Sequence, residues 1–412
     1  MTRPSGLLPG ALHAAASVVT HPTRTLLDLS VATSRLPVVG PVFKPLGSLT
    51  AITLFAARVA PEYISDMRAP HVDLRRPPAA EKPKPDKVRD RALSELALQR
   101  AVGDLEPTPE AAARAAERPV RCRNRRTARA VLRNEPYTDL PRGPRLDVWA
   151  DESARAGERR PVLLFIPGGG WIFGMRQGQG GALLKHLSEA GWVCVTIDYR
   201  SAPHDRWPAH IIDAKRAVAW IRENIAEYGG DPESVAVAGG SAGGHIASLL
   251  GLTPNNPRFQ PGFEDVDTTV RAVVGLYGRY DWESRDTLER KRLMGFIEHV
   301  VVGTALEDDP QLYRDSSPIH LAAADAPPFL VVHGDSDSII PVEQGRDFAV
   351  RLAEVSDQVV RYAELPGAGH AYDVLDAERA RATARAVEQF LAAVQTSATA
   401  VPLTVVGGAS AV

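Results

Sequence analysis

Residues 235–243 read Val-Ala-Val-Ala-Gly-Gly-Ser-Ala-Gly. An apolar run that ends in glycine, serine and glycine predicts a strand turning sharply into a helix. Glycines beside the serine let strand and helix approach closely, and the serine hydroxyl is pushed clear of the backbone. In a chain with 33 glycines the spacing alone carries little weight. Its weight comes from the pattern on either side.

From about residue 118 that pattern alternates strands and helices. Continuous apolar runs predict strands over Arg145–Ala150, Pro161–Ile166, Trp192–Ile197, Ser234–Ala238, Ala272–Tyr277, Phe329–His333 and Val359–Glu364. Helices are expected over Gly181–Ala190, His210–Tyr228, Ala242–Leu250, Val342–Val355 and Asp376–Val394. Apolar strands with helices between them imply an α/β fold with a mostly parallel central sheet and helices on both faces. The stretch 279–328 exceeds an ordinary loop. Its Asp281-Trp282 and Leu293-Met294-Gly295-Phe296-Ile297 suit a cap insertion.

The 412 residues suffice for a large core with additions outside it. Residues 1–68 read as an apolar N-terminal helical extension, interrupted at Pro37, Pro41 and Pro45. Residues 1–60 carry Arg3, Arg24, Arg35, Lys44 and Arg58 against Asp28 alone. They suit either packing on the main domain or peripheral contact with a lipid interface. Residues 69–117 read as a proline-rich linker followed by helices over Lys87–Val102 and from Thr108, with Pro109 at the first helical position. The catalytic unit is expected over 118–395 and a flexible tail over 396–412. Arg118, Arg121, Arg123, Arg125, Arg126, Arg129 and Arg133 form a basic run with no interleaved aromatic residue to stack on bases, so it reads as a solvated face. A net charge of −2 gives no general attraction to nucleic acid. Two cysteines, Cys122 and Cys194, exclude a disulfide framework and fit free thiols in a reducing, cytoplasmic setting. An association with the membrane or cell envelope through residues 1–60 stays open beside that.

A serine needs a base to become a nucleophile, usually a histidine held by a carboxylate. On a strand–turn–helix serine the chain order is Ser, then Asp or Glu, then His. Past Ser241, the strand ending at His333 runs into Gly334-Asp335-Ser336-Asp337. The next strand runs into Leu365-Pro366-Gly367-Ala368-Gly369-His370. In a parallel sheet both loops leave the same edge as Ser241, where open α/β folds bind ligands.

The pieces Gly239–His245, Asp198-Tyr199-Arg200-Ser201-Ala202-Pro203, His333–Asp337 and Gly369-His370 occur in order. Over about residues 120–395 the chain resembles an α/β-hydrolase, of the hormone-sensitive-lipase and Lip type of carboxylesterase. The resemblance implies Ser241 as nucleophile, His370 as base and Asp337 as the acid, with Asp335 as the competing carboxylate. Pro167-Gly168-Gly169-Gly170-Trp171 is similar to the family's oxyanion loop. This implies that the amides of Gly169, Gly170 and Ala242 hold the developing oxyanion. Pro167 stands where that family has a histidine, which puts the support of the loop in question. Trp171 suits either the wall of a substrate pocket or the core. His245 and His333 read as structural. No metal-ligand spacing and no dinucleotide fingerprint are found, so no cofactor is expected. The resemblance implies hydrolysis of small-molecule or lipid esters, with a membrane-associated lipase, an amidase or an acyltransferase as alternatives. Oligomeric state is not legible.

Overall fold

The computed structural model describes residues 86–109, 111–112, 129–286, 288–394 and 404–405. The extension expected over 1–68, the start of the linker, Cys122 and Arg118–Arg126 lie outside the described residues.

Helix α1 (Lys87–Val102) begins where expected, because Asp86 caps it. The Asp86 carboxylate accepts from the amides of Val88 and Arg89 at 3.1 and 3.2 Å, satisfying first-turn donors that have no helical partner. Then come β1 (Arg129–Pro136), β2 (Arg145–Ala150), β3 (Arg160–Ile166), α2 (Gly181–Glu189), β4 (Val193–Ile197), α3 (Ala209–Asn224), β5 (Gly230–Gly240) and α4 (Ala242–Leu252). The second half holds β6 (Ala272–Leu276), α5 (Leu288–Phe296), α6 (Pro310–Asp315), α7 (Pro318–Leu321), β7 (Phe329–Gly334), α8 (Glu343–Val355), β8 (Val360–Leu365), α9 (Tyr372–Leu375), α10 (Ala377–Val394) and β9 (Thr404–Val405).

The strands form one sheet in the order β1-β2-β4-β3-β5-β6-β7-β8-β9. Pairing is antiparallel at β1/β2 and β2/β4 and parallel from β4 through β8. Side chains alternate between two buried layers, as the two-residue repeat of a strand requires. On β3, Val162, Leu164 and Ile166 enter one core, and Leu163 and Phe165 the other. The first core is closed by α3, α4 and α8, the second by α1, α2 and α10. Each fully buried Val, Leu or Phe contributes roughly 1.5–3 kcal/mol, so two apolar faces hold the sheet between helices.

Two segments differ from the expected pattern. Arg129–Pro136, read as part of a basic run, is an antiparallel edge strand. Its side chains are largely exposed, and Arg133 lies over the Trp149 ring at 5.7 Å. Charge on an exposed edge strand discourages pairing with another chain. Thr404–Val405, in the stretch expected to be a flexible tail, pairs parallel with Arg361 and Tyr362 of β8. Backbone groups at a sheet edge offer a ready template for such an addition. In the stretch 279–328, Trp282, Leu293, Met294, Phe296 and Ile297 are buried in the first core, and a π-helical turn spans Ile297–Val302. Cys194 is a buried free thiol. Among the described residues no helix is long and apolar enough to cross a membrane.

Candidate active site

Ser241 stands between β5 and α4 with φ 56° and ψ −122°. Its amide donates to the Leu276 carbonyl at 2.9 Å, and its carbonyl accepts from His245 N at 3.1 Å to start the helix. The turn is possible because two neighbours lack side chains. A β-carbon on Gly243 would stand 2.0 Å from the Ile166 carbonyl oxygen, and one on Gly239 2.2 Å from that of Gly243.

The loops after β7 and β8 deliver the other two groups. The Ser241 hydroxyl donates to His370 Nε2 at 2.9 Å. His370 Nδ1–H donates to Asp337 Oδ2 at 2.7 Å. Oδ1 of Asp337 accepts from the amides of Ile339 and Ile340 at 2.9 and 2.8 Å. His333 Nε2 also lies 3.3 Å from Asp337 Oδ2 and donates to the Ile340 carbonyl at 2.9 Å. Burial alone would raise the Asp337 carboxyl. The charge of His370 and the hydrogen bonds of His333 and His370 outweigh it and hold the group well below the usual carboxylate range. Asp335, the competing acid, instead accepts from the Gly367 amide and the Ser336 hydroxyl, both at 2.8 Å. It ties the two loops together and makes no contact with His370.

The loop after β3 turns at Gly169 (φ 134°), Gly170 (φ 59°) and Trp171 (φ 60°). Its internal bonds use the amides of Gly168, Ile172 and Phe173, and not those of Gly169 and Gly170. Ala242 is the first residue of α4, where amides lack helical acceptors. The structure answers the question raised by Pro167. The Tyr199 hydroxyl donates to the Pro167 carbonyl at 3.1 Å, and Gln179 Oε1 accepts from Gly168 N at 2.8 Å. The Trp171 carbonyl accepts from His210 Nε2 and from Ala202 N, each at 2.9 Å. Of the two roles open to Trp171, the core role is the one observed: its ring is 1 % exposed and meets Trp282 edge-on at 5.2 Å. Its indole N–H donates to His245 Nδ1 at 3.2 Å, and His245 Nε2–H donates to the Ser316 carbonyl at 2.8 Å. Burial pushes His245 down to about 3 and His210 down to about 4, so both stay neutral braces.

Sequence reasoning missed Gln179 and His210, whose partners lie 11 and 39 positions away; Tyr199 sat within a quoted motif without an assigned role. Asp281, Glu283 and His320 bring ligand-type atoms within 4.8 Å of one another, a grouping that linear spacing hides. Asp281 Oδ1 is taken by the amides of Glu283 and Ser284, and Glu283 lies 2.5 Å from His320 Nε2, so the group reads as a hydrogen-bonded turn.

A family model described as BD-FAE matches residues 146–352, half of the chain. The esterase LipC of Mycobacterium tuberculosis is 47% identical over 378 residues, covering 90% of this chain and 91% of that protein. The chain belongs to this esterase family. Another relative, the probable carboxylic ester hydrolase LipM of the same organism, is 49% identical over 63% of this chain and 60% of its own length. A thermophilic esterase of Thermogutta terrifontis, 23% identical, aligns with TM-score 0.51 over 62% of this chain and 89% of that one. That likeness shows the fold: the family's α/β-hydrolase sheet, with Ser241 at the carboxyl end of its central strand.

Proposed function

We propose that the chain hydrolyses carboxylic esters of small to medium acyl length through an acyl-Ser241 intermediate. The observation that carries this is the continuous line from Asp337 through His370 to the Ser241 hydroxyl, with links of 2.7 and 2.9 Å. Ser241 Oγ attacks the ester carbonyl carbon while His370 Nε2 takes its proton. Negative charge moves to the carbonyl oxygen, and the amides of Gly169, Gly170 and Ala242 receive it. Such donors contribute roughly 3–4 kcal/mol each in a dry site. The carbon–alkoxide bond then breaks, and His370 passes the proton to the departing alcohol. Water repeats the sequence on the acyl-serine, which frees the acid and restores Ser241. Asp337, kept ionised, holds His370 in the tautomer with hydrogen on Nδ1 and stabilises the imidazolium. The same groups would serve amide hydrolysis or acyl transfer. The ester reading is favoured because the relatives LipC and LipM are named an esterase and a carboxylic ester hydrolase.

The test is a series of p-nitrophenyl esters of increasing acyl length on the full chain and on Ser241→Ala. The variant is expected to lose on the order of 10⁴-fold or more in kcat while remaining folded. Retention of most of the rate would overturn the assignment. A fluorophosphonate probe should label the wild-type chain and not the variant.

A further inference from the structure

A second acid is linked to the imidazole through an aromatic ring. Tyr277 follows β6 directly, with φ 39°, a left-handed conformation that aromatic residues rarely adopt. Its ring meets that of His370 edge-on, with centroids 5.0 Å apart and planes at 68°. Its hydroxyl donates to Oδ1 of Asp373, three residues beyond His370 on α9. The Tyr372 ring meets it edge-on at 5.3 Å from another side. The fit is close: a β-carbon on Gly240 would stand 2.6 Å from the Tyr277 hydroxyl oxygen. The glycine just before the nucleophile therefore makes room for this tyrosine.

We propose that Tyr277 and Asp373 form a second support for His370, the ring fixing the tilt of the imidazole and the carboxylate adding a second negative charge beside the imidazolium that forms during acyl transfer. The proposal rests on the ester-hydrolysis reading of the same site. Tyr277 and Asp373 act through His370 and are positioning residues. The ionisable groups that touch the imidazole, or touch the groups that do, are Asp337 beyond β7, His333 near the end of β7, Tyr277 beyond β6, and Tyr372 and Asp373 on α9. Burial, then the neighbouring Asp373, pushes the Tyr277 phenol well above its usual range, so it stays a donor. Burial also raises the Asp373 carboxyl, opposed by the Tyr277 hydroxyl, by backbone amides at Asp373 and Val374 and by His370.

The experiment compares the full chain with Tyr277→Phe, Asp373→Asn and the double variant. It reads p-nitrophenyl butyrate hydrolysis as a function of pH, with the unfolding temperature as a check of folding. Losing a nearby negative charge favours the neutral imidazole, so Asp373→Asn should move the acid limb of kcat/KM to lower pH by about half a unit or more. Its kcat should fall about ten-fold with KM little changed. Tyr277→Phe keeps the ring and removes the donor. Its limb should move the same way, by less, because an unsupported buried carboxylate carries less charge. The double variant should be little worse than Asp373→Asn, since both changes break one contact. Should Asp373→Asn fail to fold, the limb of Tyr277→Phe decides alone. Folded variants with an unmoved acid limb, or losses that simply multiply, would overturn the proposal. A wild-type chain that neither hydrolyses esters nor takes the fluorophosphonate would sink the underlying reading instead.

Discussion

Ser241 holds a backbone conformation that costs a residue with a β-carbon of order 1–3 kcal/mol. The bond from its amide to Leu276 and the start of α4 hold it there, and the strain presents the hydroxyl to His370. The histidines around it divide by their partners. His210 and His245 are deeply buried, face carbonyl groups and an indole, and stay neutral; His370 alone joins a carboxylate to the serine. Asp337 has a pH signature of its own. Its folded-state pKa is depressed, so its contribution to stability is full above the unfolded value of about 3.9 and is lost as pH falls through the lower folded value. Asp337→Asn should therefore unfold at lower temperature than the wild-type chain at neutral pH. The gap should close only below about pH 4. Its kcat should fall by up to about 10⁴-fold, because the amide no longer enforces the tautomer. Calorimetry over a pH series and initial rates measure both. A stability gap that is constant down to the acid transition would argue that Asp337 is not held by His370 and His333.

The oxyanion loop shows what a few elements must do together. One side is tied to Gln179, just ahead of α2, and the other to His210 on α3. Tyr199 reaches in from beyond β4, and the Trp171 indole is pinned to α4 through His245. Gln179→Ala removes the acceptor for the Gly168 amide and frees the loop to shift. Small displacements of preorganised donors act on the transition state, so kcat should fall about ten-fold with little change in KM or unfolding temperature. A KM effect alone would instead place Gln179 in substrate binding. The same loop marks what could be read from the sequence. The strands were legible because a buried parallel strand is a continuous apolar run. Ser241 and His370 stood out because each follows a strand in a fixed chain order, whereas the turn after β7 offered both Asp335 and Asp337 and only the family resemblance favoured Asp337. The braces were not legible, since the pairs Gly168–Gln179, Trp171–His210 and Trp171–His245 lie 11, 39 and 74 positions apart. Strand β1 was hidden for another reason: an exposed edge strand whose apolar run is only Ala130-Val131-Leu132, at the end of a basic stretch, carries a weak apolar signal.

Across the molecule, the helix that precedes the sheet reaches the loop that carries the base. Helix α1 buries Leu98, Ala101 and Val102 in the second core, against β8 and α10. From the same helix the Ser94 hydroxyl lies 3.3 Å from the Pro366 carbonyl, which Arg379 of α10 also holds at 2.7 Å, and Arg379 Nε donates to Ser94 Oγ at 3.1 Å. A β-carbon on Gly367 would stand 2.8 Å from Asp90 Oδ2, so helix and loop are in direct contact just ahead of His370. Helix packing and the position of the base are thus one problem. Leu98→Ala removes a fully buried side chain and should cost about 2–5 kcal/mol. If α1 supports the loop, the loss will not be uniform. In Leu98→Ala, ester hydrolysis should fail on heating several degrees before the far-ultraviolet circular dichroism changes, because a loop held by few contacts loosens ahead of the sheet. In the wild-type chain the two transitions should coincide more closely. Activity and circular dichroism that fall together in the variant would mean that α1 only adds mass to the core, and that the His370 loop stands without it on β8, α10 and the loop after β7.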